Sequence, residues 1–390
     1  MTTAGGTPAR VPWPELGEAE RSVLLELLLH GARSRIRLAE RVGLSRASLT
    51  RIARQLVDLG LVAEGEAELT NARGRPGEQL YLRPEAASFL GIKLTGDTLY
   101  AVVTDLSATV VHSEAHELES TRVEDVVSLI GAVARELLPD PELPAAIGVG
   151  LAGDVLKRDG TQVLERSAFL GWVGSTPLRS LVEAETGIPT TITNDVHALT
   201  AAHHWFGSGV GLDSLVVYGI GAGIGSGIVI DDELMEGTHG RAGRIGHSRV
   251  GGAGRECDNG HTDCVHSFVT MPSIEFNAGL DYARAVREAR AGDPGARAAF
   301  EQAAYALGAV VAESVNSFDP ELLSVMGEGL DMLDLAPESF ERGIAEYLEQ
   351  VDPTTLRIER PPFDFGLYAR GAAVAAMRCS HSSMRRFSSA

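Results

Sequence analysis

The sequence predicts an α/β protein in two parts, an N-terminal winged helix-turn-helix and a larger body made from a duplicated α/β unit. Three observations carry this expectation. Between Ser34 and Leu61 apolar residues recur at helical spacing around a glycine turn. From Phe89 the apolar period shortens to that of strands. The order of strands and helices that follows then occurs a second time, giving two similar lobes with a cleft between them.

Residues 1–17, with three prolines and three glycines, read as a loose lead-in. The first helix is expected over Glu18–His30, with Val23, Leu24, Leu27 and Leu28 inward. Leu38 and Ala39 sit on the next helix, which Gly43 ends by supplying a positive φ. Ser45 is placed to cap a third helix, in which Leu49, Ile52, Leu56 and Leu59 form one buried stripe. Ser45, Arg46, Ala47, Thr50, Arg51 and Arg54 are left at its start and on its outer face, as for a helix that enters a major groove. Strands over 61–64 and 79–82 make a wing and close a DNA-binding module at 18–83. Between them, Arg73-Gly-Arg75-Pro76 carries two arginines with no bulk between them, a shape that suits a narrow minor groove. A plain charged linker is the alternative there.

Charge separates the two parts. The chain has 390 residues and a formal net charge of −19. From Arg33 to Arg54 there are seven arginines against one acid, Glu40, whereas residues 84–390 hold 22 basic and 43 acidic residues. An acidic body repels nucleic acid, so DNA contact falls to the N-terminal module. Three cysteines, Cys257, Cys264 and Cys379, make no disulfide framework. No apolar run approaches ~20 residues and no signal pattern opens the chain, so a cytoplasmic protein without membrane contact is expected.

In the body, 89–94, 98–106 and 109–118 read as a three-stranded meander. A helix (123–138), a buried strand (145–153), a helix (176–186), a short strand (190–193) and a helix opening at Asn194 follow. The second pass has a glycine-rich hairpin (215–221 and 223–231), helices at 278–290 and 295–316, a strand at 322–327 and a helix at 337–350. An alanine-rich helix over 367–378 ends it. The expected lobes are 84–198, completed by the C-terminal helix at 367–385, and 199–366.

Several segments in this order resemble the ROK family of repressors, open reading frames and kinases. They are the helix-turn-helix with its RGRP linker, GLAGDV (150–155), LGW (170–172) and TGIPTTITNDVHAL (186–199). GIGAGIGSGIVI (219–230), GRAGRIGHSRV (240–250) and CDNGHTDCVH (257–266) complete the set. The resemblance implies a duplicated actin-like sugar-kinase fold. With an N-terminal winged helix it implies a transcription regulator, expected to be a repressor, that answers to a sugar or related metabolite. A homodimer or homotetramer on a palindromic operator in double-stranded DNA would follow. A sugar kinase with an appended DNA-binding module is the alternative, and a regulator blind to small ligands a third.

A kinase of this kind needs one aspartate to hold magnesium and another to deprotonate the sugar hydroxyl. The second resembles Asp195. Where the family kinases read roughly G-I-D-x-G-G-T, this chain reads Gly91-Ile92-Lys93-Leu94-Thr95-Gly96-Asp97. A lysine cannot ligate magnesium, so neither ATP nor catalysis is expected. By resemblance Asn194, Asp195 and His247 would contact hydroxyls of a bound sugar. Arg244, where the family has the glutamate of E-I-G-H, and His266, where a glutamate ends the cysteine motif, would line the same ligand site. Phe169 replaces a polar residue before LGW. These exchanges leave an acidic or phosphorylated sugar, a non-sugar metabolite, or no effector at all as alternatives.

The family's zinc pattern, C-x-C-G-x-x-G-C after a histidine, is kept at His247, Cys257 and Cys264, with Asn259 in place of the middle cysteine. His261 or His266 could complete a two-thiolate, two-imidazole set. A loop that packs without metal is the alternative.

Overall fold

The computed structural model describes residues 11–65, 79–158 and 161–380. The chain divides into two compact units, one running to Val210 and resuming at Phe365, the other Gly211–Asp364. The RGRP arginines Arg73 and Arg75, the start of the lead-in and the last residues expected for the C-terminal helix lie outside the described residues.

The first unit opens with α1 (Glu18–His30), β1 (Arg33–Ser34), α2 (Arg35–Arg41), α3 (Arg46–Asp58), β2 (Val62–Gly65) and β3 (Gln79–Leu82), the strands ordered β1-β3-β2. Side-chain oxygens of Ser34 and Ser45 accept backbone N–H groups of Arg37 and Ser48 at the starts of α2 and α3. Gly43, at φ 66°, makes the turn between them. Val23, Leu24, Leu27, Leu28, Leu38, Leu49, Ile52 and Leu56 are buried together. Leu59 is not. It is 47% exposed at the end of α3. Gly60 (φ 72°) reverses the chain there, so Leu61 enters the core in its place, and Ala53 completes the buried stripe.

The body of this unit contains β4 (Ser88–Leu94), β5 (Thr98–Asp105), β6 (Val110–Glu117), α4 (Val123–Leu137), β7 (Ala145–Leu151), β8 (Asp154–Arg158), β9 (Thr161–Ser167) and β10 (Trp172–Thr176). α5 (Leu178–Thr186), β11 (Thr190–Asn194) and α6 (Asp195–Phe206) follow. The second unit contains β12 (Leu215–Ile220), β13 (Ile224–Ile230), β14 (Glu233–Leu234), α7 (His266–Val269), α8 (Met271–Ala278), α9 (Tyr282–Ala291) and α10 (Pro294–Phe318). It ends with β15 (Leu323–Met326), α11 (Asp331–Leu335), α12 (Pro337–Tyr347) and β16 (Ile358–Glu359), after which α13 (Gly366–Ser380) returns to the first unit.

The duplication is explicit in the sheets. One is ordered β11-β7-β4-β5-β6 and the other β16-β15-β12-β13-β14. In each, three antiparallel strands are extended by two parallel ones from the first of the three. The antiparallel sheet β10-β9-β8 was not anticipated from the sequence, although Asp159-Gly160 is a hairpin signal. Helices α7 and α8 were likewise not foreseen. Among the described residues no helix is long and apolar enough to cross a membrane.

The first unit is fitted to α13. A Cβ on Gly91 of β4 would lie 1.8 Å from the Ala369 carbonyl oxygen, and one on Gly148 of β7 would lie 1.8 Å from that of Ala372. A Cβ on Gly371 would meet the backbone of Ala198 in α6 at 2.7 Å. Three glycines thus let backbone meet backbone around one helix. Because α6 is pressed to α13, it belongs to the first unit, and the division falls at 210/211, later than the 198/199 expected from the sequence. Farther along α13, Ala373, Val374 and Met377 share one core with α1, α3 and β3 of the winged helix, and with Phe89 and Trp205.

This packing predicts that Gly148→Ala lowers stability by about 1–3 kcal/mol or more, since the atom it meets is backbone and cannot rotate away. Gly252→Ala, where an added methyl meets nothing within 4 Å, should stay close to wild type. Thermal denaturation of both variants checks this.

Candidate functional site

On α3, Ser45, Arg46, Ala47, Thr50, Arg51 and Arg54 are all exposed. The basic run around them is partly spent inside the module. Glu26 takes Arg33 at 3.0 Å and Arg41 at 3.1 Å, and Glu64 takes Arg35. Arg51 donates to Gln55 at 2.9 Å and stands 3.9 Å from Glu20, while the Thr50 hydroxyl donates to the Arg46 carbonyl at 2.8 Å. The guanidinium groups of Arg46 and Arg54 meet no partner among the described residues. They are the members of the helix most ready to engage a phosphate or base edge.

In the body of the first unit, Asn194 ends β11 and caps α6. Its side-chain oxygen accepts the N–H groups of Val196 and His197, and its amide donates to the Gly153 carbonyl at 3.2 Å. Asp195, the first residue of α6, forms an ion pair through Oδ2 with Lys93 Nζ at the end of β4. Lys93 is 5% exposed and Asp195 7%. The ammonium also lies over the Tyr368 ring, 4.9 Å from its centroid. The carboxylate with the right type for a catalytic base is therefore already engaged by a buried basic side chain.

The second unit supplies Arg244, His247 and His266, together with the cysteine segment. His247 Nδ1 lies 3.7 Å from Cys257 Sγ and 3.6 Å from Cys264 Sγ, and the ring atoms of His261 are close by. One donor atom from each of these four residues lies within 4.8 Å of the others. A tetrahedral zinc with Zn–S about 2.3 Å and Zn–N about 2.0 Å has S···N edges of about 3.5 Å, close to the separations present here. His266 stacks on His247 with centroids 5.5 Å apart and stays outside the four. Asn259, in the place of the missing cysteine, instead meets His247 Nε2 at 3.0 Å. Burial, followed by the charges of His261, His266 and Arg244, holds the His247 imidazole neutral to lower pH than usual. Burial does the same to His266 against the opposing pull of Asp258, and raises the Cys264 thiol. A neutral imidazole is the form that ligates a metal.

A further residue bears on nucleotide chemistry. The glycine hairpin of β12 and β13 turns through Gly221-Ala222-Gly223, and Glu328 closes onto that turn. The Ala222 N–H donates to its Oε1 at 3.3 Å, and a Cβ on Gly221 would lie 1.9 Å from the same oxygen. A carboxylate thus closes the turn of the hairpin. Glu328 and Tyr368 were both missed in the sequence. The only signal for Glu328 is an acid set between two glycines after a buried strand, and Tyr368 had none.

The ROK family model matches residues 89–378. The chain belongs to the ROK family. Among curated relatives, the xylose repressor of Caldicellulosiruptor bescii is 25% identical over 327 residues, covering 78% of this chain and 81% of that protein. The crystal structure of a ROK family transcriptional regulator, described as a homologue of the E. coli Mlc protein, superposes with a TM-score of 0.79 at 23% identity, covering 93% of this chain and 96% of that one. A ROK glucokinase from Streptomyces griseus, solved with glucose and AMPPNP, gives a TM-score of 0.63 at 24% identity over 75% of this chain and all of its own. The fold is therefore shared by ROK regulators and ROK kinases, and fold alone does not separate them.

A recognition role for α3 predicts that Arg46→Ala weakens DNA binding by about 1–3 kcal/mol and relaxes preference at one base position. A mobility-shift titration on bound genomic fragments reads both. Unchanged affinity and preference would remove Arg46 from the interface.

Proposed function

We propose that this ROK protein is a sugar-responsive transcriptional repressor rather than a kinase. The observation that carries the reading is the Lys93–Asp195 pair. It puts an ammonium where a kinase of this fold holds its metal carboxylate, and it engages the carboxylate that would act as base. Glu328 on the glycine turn adds a negative charge where a nucleotide would bring its own phosphates. The named repressors among the relatives support the same conclusion.

In this reading α3 enters the major groove of an operator, presenting Arg46, Ala47, Thr50, Arg51 and Ser45 to bases and phosphates. The RGRP arginines Arg73 and Arg75 follow the minor groove. One module makes few base contacts, so a two-fold homo-oligomer on a palindromic site supplies the specificity, in the cytoplasm where the DNA lies. Within the first unit, Asn194 and Asp195 receive sugar hydroxyls. The effector changes operator affinity by binding two conformations of the protein unequally.

The donor set of His247, Cys257, His261 and Cys264 fits zinc. Held there, the ion would cross-link the segment from β14 to α7 and fix the His247 ring, a structural role. Emission spectrometry on purified protein should find about one zinc per chain, and Cys257→Ser should remove it. Metal-free wild-type protein would return this segment to ordinary packing.

The regulator reading predicts no sugar-dependent ADP release above background across a panel of common sugars. It also predicts that Asp195→Asn blunts the effect of an effector on operator binding. ADP release that depends on sugar and disappears in Asp195→Asn would make the kinase the better account.

A further inference from the structure

We propose that the edge strand β6 carries half of a transition-metal site, which a divalent ion such as zinc or nickel completes by joining it to β6 of a second copy of this chain. β6 is the outer strand of its sheet and is bonded to β5 on one side only. Along it His112, Glu114 and His116 alternate with other residues, so the three stand in a row on one face, in register with Val103, Ala101 and Leu99 of β5.

These side chains are already gathered. His112 Nε2 lies 3.1 Å from Glu114 Oε2, and His116 Nε2 lies 2.8 Å from Oε1 of the same carboxylate. All three remain open to solvent, with side-chain exposures of 49% for His112, 24% for Glu114 and 32% for His116. The hydrogen bond with His116 holds the Glu114 carboxyl below its usual range against the effect of burial, and the bond with His112 adds to it. An ionised carboxylate and an imidazole nitrogen aimed at one point suit zinc or nickel, which takes the place of the shared proton. With Zn–N and Zn–O bonds of about 2.0–2.1 Å, a tetrahedral N···O edge is about 3.3 Å, so the present separations need open only slightly.

One copy cannot close the site. His112 and His116 lie four residues apart, about 13 Å along a strand, so each imidazole serves a different oxygen of Glu114. An ion at either end of the carboxylate finds two protein ligands, where a closed zinc site has four. Antiparallel pairing of β6 with its own copy about Glu114 supplies the other two. That register sets His112 opposite His116 of the second copy, with Cβ atoms about 5 Å apart, and sets the two Glu114 side chains opposite each other on the same face. Each of two symmetric ions then has two imidazoles and two carboxylates, and each carboxylate bridges both ions. Without metal the facing carboxylates repel and keep the edges apart. Two divalent ions reverse that repulsion. A row of polar side chains that served only to protect the edge would answer to no ion.

The test measures the mass of the full-length protein by sedimentation velocity, in chelator and again with zinc, nickel or magnesium added, and ion uptake by equilibrium dialysis. Zinc and nickel should double the mass and load about one ion per chain at this strand. Magnesium, which takes oxygen ligands, should do neither. The double variant His112→Ala with His116→Ala changes two solvent-facing side chains, and its fold is verified by circular dichroism. It should keep the starting mass and lose that ion. Folded Cys257→Ser should keep the zinc-dependent step, which separates it from the cysteine segment.

A mass that zinc and nickel leave unchanged, doubling that survives in the double histidine variant, or ion uptake at these histidines without a change in mass would each overturn the proposal. Doubling by magnesium to the same degree, or loss of the step in folded Cys257→Ser, would do so too.

Discussion

Helix α13 is the constraint on which the first unit depends. Gly91, Gly148 and Gly371 bring three separate elements within backbone contact of it, and none of those contacts survives a side chain. Such packing leaves β4, β7, α6 and α13 little freedom to slide past one another, because interiors at this density deform in discrete steps. The same helix begins beside Lys93 and Asp195, where Tyr368 underlies the ammonium, and ends in the core of the winged helix through Val374 and Met377. One rigid element therefore touches both the proposed effector group and the DNA-binding module.

That continuity gives the proposed regulation a physical route. A ligand acts at a distance only through differential affinity for two arrangements of the protein. In the proposed reading a ligand on Asp195 acts at the start of α6, which is pressed to α13 at Gly371. A module joined to α13 by a shared apolar core, rather than by a linker alone, is placed to follow.

Charge is managed at short range throughout. The basic run that distinguishes the N-terminal module is partly neutralised by Glu26 and Glu64. In the body, one ammonium meets one carboxylate at Lys93–Asp195, and one carboxylate meets backbone N–H at Glu328.

The sequence by itself determined the fold class, the winged helix-turn-helix, the duplicated body and the family. Each of these is written in local terms, as the helical spacing of Leu49, Ile52 and Leu56, the turn at Gly43, and the repeated strand order. It also showed that a lysine stands at position 93. What it could not show is that Lys93 reaches Asp195, 102 residues away, that Tyr368 lies beneath them, or that Glu328 closes the glycine turn. Beside the two cysteines, spacing left His266 open as well as the expected His261, and it is packing that gathers His261 with them. Leu59 failed for a related reason, because periodicity runs on past the residue where Gly60 turns the chain. Local pattern selects elements, whereas which side chains share a buried volume depends on how distant elements pack, and only the tertiary structure decided that.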